Sequence, residues 1–253
     1  MAASCEMLET HPYDTYITGD KHLTATYVEQ IESSLAGRTS FTFAMISDTQ
    51  RAYDETEEVV SLLNARGDLD FVVHGGDQSD FGLTDEFMLQ RDILQELSVP
   101  WVCALGNHDC LGTGLDSYNT VYGDEDFAFT AGNVRFIVLN TNAMDMGYPD
   151  DVPNLGFLAQ ELASLGDEVE KTVFLMHAAP YSDQFTDGCE AFEQWVTSFP
   201  DPQFCLYGHY HTLAADELFG DGVMYYQCPN IEKRYYLVFT INEDGYDYEA
   251  VQF

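Results

Sequence analysis

The residues able to do chemistry in this sequence form an ordered series. Asp48 leads into Thr49 and Gln50, and Gly76-Asp77 leads through Gln78-Ser79 to Asp80. Gly106 opens Asn107-His108-Asp109, His177 follows the run VFLM, and Gly208 opens His209-Tyr210-His211. Four of the seven histidines fall in this set. Carboxylate, amide oxygen and imidazole together suit borderline or hard divalent cations. There are too many donors for one tetrahedral zinc and about enough for two ions that share a carboxylate. Two such ions, ~3.5–4 Å apart, form a clamp for in-line displacement at phosphorus.

Elements must bring residues 48–211 together. Short apolar runs precede each group: 41–47 (FTFAMIS), 71–75 (FVVHG), 101–105 (WVCAL), 136–140 (FIVLN), 173–177 (VFLMH) and 204–208 (FCLYG). Runs of this length, bounded by turn residues, suit strands buried on both faces. Amphipathic stretches lie between them. Helices are expected from Thr24 to Leu35, after an Asp54/Glu57 capping box with Gly67 as the stop, along Leu155–Leu165 before Gly166, and around Phe192–Val196. The last 30 residues change to period two, and YYLVFTI-NEDG-YDYEAVQF reads as a hairpin with an Asp-Gly turn. In open α/β sheets, ligands sit at the carboxyl ends of strands, where every candidate group falls. Residues 1–22 read as an N-terminal extension and 23–253 as a single domain.

The series D-x-Q, G-D-x-x-D, G-N-H-D, H, G-H-x-H resembles the calcineurin-like metallophosphoesterase superfamily. The segment VYGDEDFAFTAGNVRFIVLNTN resembles that family's edge hairpin and following strand. The resemblance implies a four-layer αββα sandwich with mixed sheets. It also implies two divalent or trivalent metal ions (Mn, Fe or Zn), with Asp77 bridging them. Asp48, Gln50 and His211 would complete the first site, and Asn107, His177 and His209 the second. His108 would be the general acid or transition-state donor, Asp80 would orient its ring, and a bridging hydroxide would be the nucleophile. Two divalent ions against two carboxylates and a hydroxide leave a local positive charge.

Taken singly, these residues have blander readings. Asp48 and Asp77 could cap helices, His177 could be a core histidine, and Asp80 could be surface charge. The ordered series favours ligands. His74 is read as structural support, while Asp109 belongs to the motif without an assigned role. Tyr210 could border the pocket, and Arg51 and Arg91 are read as solvated ion pairs. Gln50 departs from the usual D-x-H: it could ligate through oxygen, yield to a water, or leave the first metal loosely held, and ligation is the favoured reading. Phe81 stands where the protein-phosphatase branch has arginine, which weakens a protein-phosphatase reading.

The chain has 253 residues, 45% hydrophobic and 14% aromatic, a globular composition. Acids outnumber bases 44 to 9, for a formal charge of −35. That field repels long nucleic acids and anionic membranes, yet admits a small phosphate-ester substrate at a local cationic spot. Hydrolysis of a small phosphodiester or phosphomonoester is therefore expected; a non-catalytic metal-binding scaffold is the alternative, and the presence of His108 favours the enzyme. No transmembrane segment is expected. The six cysteines show no CxxC pair and read mostly as buried thiols. Cys5, after small residues and before an acidic segment, suggests a lipid anchor and a bacterial cell-envelope location, with a cytoplasmic one as the alternative.

Overall fold

The structure, a computed structural model, describes residues 11, 13–186 and 188–253. Cys5, the suggested anchor, lies outside the described residues. Two mixed sheets face one another. The first has the order β11 (Gly245–Gln252), β10 (Tyr235–Asn242), β1 (Phe41–Ile46), β2 (Phe71–His74), β3 (Trp101–Cys103). Within it β1, β2 and β3 run parallel, and β10 pairs antiparallel with β1. The second sheet has the order β4 (Phe127–Ala131), β5 (Val134–Leu139), β6 (Lys171–Met176), β7 (Pro202–Tyr207), β9 (Met224–Gln227), β8 (Ala214–Asp216). Here β5, β6, β7 and β9 are parallel, while β4 and β8 are antiparallel edges.

Alternation along β1 shows why these strands are apolar throughout. Phe43 and Met45 point between the sheets, whereas Ala44 and Ile46 join the outer core under the helices. The inter-sheet layer is aromatic: Phe43 stacks on Phe71 at 5.0 Å and Phe204 on Phe239 at 4.6 Å between ring centroids. Outside the first sheet, α2 (Tyr53–Arg66), α3 (Thr84–Leu94) and α4 (Gly114–Val121) bury Val59, Leu63, Phe87 and Tyr118. Outside the second, α5 (Leu155–Ser164) and α6 (Cys189–Val196) bury Leu158, Phe192 and Val196. The result is the expected αββα sandwich. Helix α1 (Leu23–Leu35) packs against β3 and β4 and sends Ile31 and Leu35 into the inter-sheet core.

Some local expectations need correction. Asp54 does not open a capping box: Ala52 is the N-cap of α2 without a side-chain hydrogen bond, and Asp54 and Glu55 lie in its first turn, where their charge suits the helix dipole. Gly67 does end that helix in the left-handed region, at φ 70°. Helix α5 stops at Ser164, with Leu165 already non-helical. In the final hairpin Asn242 pairs with Gly245, so Glu243 and Asp244 form the two-residue loop and the glycine opens β11. Strands β8 and β9 add to the sequence reading: β8 has no apolar run of strand length, and β9 carries the short run 223–226 (VMYY). Arg91 is buried, not solvated, with its Nη1 2.5 Å from the Thr18 carbonyl. Cys103, Cys205 and Cys228 are buried free thiols, as expected. Among the described residues no helix is long and apolar enough to cross a membrane.

Candidate metal centre

Five parallel strands deliver the candidate residues to one rim. The first sheet supplies Asp48 after β1, Asp77 and Asp80 after β2, and Asn107 and His108 after β3; the second supplies His177 after β6, and His209 and His211 after β7. Backbone bonds continue beyond the ladders and set the loop heights: Asp48 N donates to Gly76 O at 3.0 Å, and Gly208 N to His177 O at 3.0 Å. The glycines preceding the ligands are required by close approach. A Cβ on Gly106 would sit inside the Asp77 carboxylate, and one on Gly208 would strike Ser47 Oγ. Asp48, Arg51, Asp77, His209 and His211 all adopt positive φ, between 51° and 71°. Such conformations are costly for side-chain-bearing residues and concentrate at functional sites.

The donor atoms converge as two overlapping sets. Asp48, Asp77 and His177 are buried and present donor atoms within 4.8 Å of one another. His211 Nε2 lies 3.2 Å from Asp48 Oδ1. Gln50 Nε2 lies 3.4 Å from Asp77 Oδ2, and its Oε1 is buried without a hydrogen-bond partner. On the other side, His177 Nε2 is 3.3 Å from Asp77 Oδ2 and 3.1 Å from Asn107 Oδ1. His209 Nδ1 is 3.1 Å from the same amide oxygen. Every candidate ligand is thus in the cluster, with Asp77 between the sets.

The electrostatics call for a cation. His177 Nδ1 donates to Gly75 O at 2.8 Å, which leaves Nε2 facing two oxygen acceptors. A neutral ring there would oppose lone pair to lone pair. Burial pushes the His177 pKa down, but Asp77 and Asp48 outweigh it and lift it to about 10, so a proton supplies the cation in the metal-free protein. Burial likewise opposes the Asp77 charge, yet His177 and the His108 N–H hold its carboxyl below the ordinary range. Soft thiolates are absent from the donor set, and the oxygen and imidazole atoms fit hard or borderline metals. At Gln50 the amide nitrogen is the end that meets Asp77, while the oxygen is buried without a hydrogen-bond partner.

His108 stands at the edge of this cluster, about one-third exposed at 36%. Its backbone N–H donates to Asp77 Oδ1 at 2.9 Å, and its Nδ1 donates to the Asp80 carbonyl at 2.8 Å. The Asp80 carboxylate is farther, at 3.7 Å, and is held by Arg51 at 2.7 Å. Arg51 in turn lies over the Phe81 ring, its guanidinium carbon 5.5 Å from the centroid. Tyr210 is exposed beside His209, with ring centroids 5.0 Å apart. His74 is buried and neutral, its pKa pushed by burial to about 3; Nδ1 accepts from Gly76 N and Nε2 meets Thr49 Oγ1 at 2.9 Å, so it braces the loops and does not face the ligands.

Sequence reasoning missed several supports. Asp109 is fully buried and accepts from Asp77 N, Gly106 N, Ser79 N and Ser79 Oγ at 2.8–3.0 Å, tying two ligand loops together. Burial and the Asp77 charge lift its pKa to about 7. Glu86 accepts the N–H groups of Asp80, Phe81 and Leu83. Asp183 meets His209 Nε2 at 3.0 Å, and Asp145 meets Asn107 Nδ2 at 3.0 Å. Only Asp109 carried a signal, by adjacency to the GNH triplet.

Residues 41–213 match the family model described as calcineurin-like phosphoesterase. A 3',5'-cyclic-nucleotide phosphodiesterase of Nostoc sp. is 25% identical over 182 residues, 66% of this chain and 67% of that protein. Among solved structures, a dimetal phosphatase from Danio rerio superposes with a TM-score of 0.65 at 15% identity, over 84% of this chain and 98% of that one. Purple acid phosphatase from yellow lupin gives 0.64 at 14% identity, over 85% of this chain and 52% of that one. The two structural likenesses concern the fold.

Proposed function

This chain belongs to the calcineurin-like phosphoesterases, metal-dependent phosphoric ester hydrolases, and from that premise we propose that it hydrolyses a small phosphodiester at a dinuclear centre. The observation that carries this reading is the placement of Asp77 between two donor sets. Asp48, Gln50, Asp77 and His211 would hold one ion, and Asp77, Asn107, His177 and His209 the other. Ions held there would neutralise charge on the phosphoryl oxygens and lower the pKa of a bound water, and a hydroxide formed from it would serve as the nucleophile in this proposal.

The protein groups do the rest. Asp80 fixes the ring of His108 through its carbonyl, so that Nε2 is the nitrogen that can donate to the departing oxygen. Arg51 is, among the described residues, the one arginine whose ion pair involves a candidate site residue. A single guanidinium suits a singly charged diester better than a dianionic monoester. The name of the Nostoc relative supports a cyclic or small nucleotide diester. The envelope location and Cys5 anchor remain proposals from sequence.

Turnover of bis-p-nitrophenyl phosphate, p-nitrophenyl phosphate and a nucleotide panel with Mn, Fe or Zn tests the reading, alongside metal analysis of the protein. The expected result is metal-dependent hydrolysis that favours diesters, with two metal equivalents per chain. A single equivalent would remove the dinuclear centre, and no turnover on any ester would favour the scaffold alternative.

A further inference from the structure

We propose that Asp145 is a positioning residue that fixes which end of the Asn107 side-chain amide faces the metal centre. This rests on the reading of Asn107 as a ligand. An amide has an acceptor end and a donor end of nearly equal size, and only surrounding hydrogen bonds select between them. At Asn107 the inner end meets His177 Nε2 and His209 Nδ1, each at 3.1 Å. Were the amide reversed, its N–H groups would point at the ions and no oxygen would be available to them.

In the metal-free protein the His177 Nε2–H favours the oxygen end from inside; with an ion in place of that proton, the selection would be made from outside. Asp145, in the loop between β5 and α5, accepts Asn107 Nδ2–H through Oδ2 at 3.0 Å. The same oxygen accepts Gln184 Nε2–H at 2.6 Å, and Asp145 N donates back to Gln184 Oε1 at 3.2 Å. Gln184 is itself buried, at 1% exposure, so it anchors Asp145 from both sides although Asp145 lies at the surface. A carboxylate can only accept, and it therefore admits the nitrogen end of Asn107 and no other. The loop after β6, which carries Gln184, is thereby coupled to the ligand that follows β3. Partners that orient a metal ligand in this way change affinity by ~10–100-fold when removed.

Manganese(II) titration of the metal-free full chain, followed by electron paramagnetic resonance of free ion and by metal content, separates the possibilities. In Asp145→Ala one of the two affinities should fall by ~10–100-fold, while the other stays as in the wild type. Asp145→Asn should restore binding to near wild type, because its side-chain oxygen can accept both N–H groups without the charge. Wild-type binding in Asp145→Ala would overturn the proposal. So would an equal loss in both variants, which would mean that charge and not amide orientation is at work. Failure of the dinuclear reading shows separately, as one ion bound by the wild type; the proposal then stands or falls on whether that single affinity drops in Asp145→Ala.

Discussion

At His108 the ring nitrogen nearer the backbone is already committed to the Asp80 carbonyl, so the proposed mechanism assigns proton delivery and metal binding to different residues. His108→Ala should lower kcat by ~10²–10⁴-fold with metal content unchanged, as measured by diester turnover and metal analysis together. Gln50 poses the opposite problem, since its free oxygen makes it a neutral, weak donor where imidazole would be stronger. Gln50→His should raise affinity for zinc relative to manganese in a competitive titration. Unchanged affinity and preference would take Gln50 off the ligand set. The candidate ligands were legible because each group follows an apolar run, and three of the five groups open on a glycine, at Gly76, Gly106 and Gly208. Asp145, Asp183 and Gln184 were not, because they arrive from long loops where no spacing distinguishes a useful acid from the many solvated ones.

Strands were easier to read than helix ends. With Phe43 and Ala44 both buried on opposite faces, β1 has no polar side, and such a run has few alternatives to a central strand. Helix starts depend on single hydrogen bonds: Asp54 has the right residue type, but the α2 N-cap falls two residues earlier. One interelement contact has a pH signature. Tyr225 of β9 donates to Glu193 of α6, and burial lifts the Glu193 pKa from 4.5 to about 7, with Tyr225 opposing the rise. The fold favours the protonated acid, so its stabilisation is full below about 4.5 and is lost as pH rises through about 7. Glu193→Gln, which keeps an acceptor for Tyr225, should flatten that dependence and raise stability at pH 8 by about 1–2 kcal/mol, after allowance for partial burial. Chemical denaturation at several pH values measures it; parallel curves for both proteins would refute it.

Across the whole molecule the charge of −35 sets the approach of substrate. Because the screening length falls to ~10 Å at 0.1 M salt, kcat/KM for an anionic diester should rise as salt increases from ~0.01 to ~0.1 M. A neutral triester should show no such rise at equal metal loading, and a fall for the anion would mean that the local cationic spot dominates.

The position of β10 beside β1 places a late part of the chain next to an early one. Met45, three residues before Asp48, pairs with Leu237, and Ile231 N donates to the Asp48 carbonyl. The strand that presents the first carboxylate therefore lacks one neighbour until residues beyond 230 are made and paired. A shortened chain that ends before residue 231 would keep every proposed ligand and lack both the β10 neighbour of β1 and the Ile231 N–H on the Asp48 carbonyl. Such a chain, purified and analysed for metal, should therefore hold less than the full-length protein, so that completing the first sheet becomes a condition of ion capture at the proposed centre.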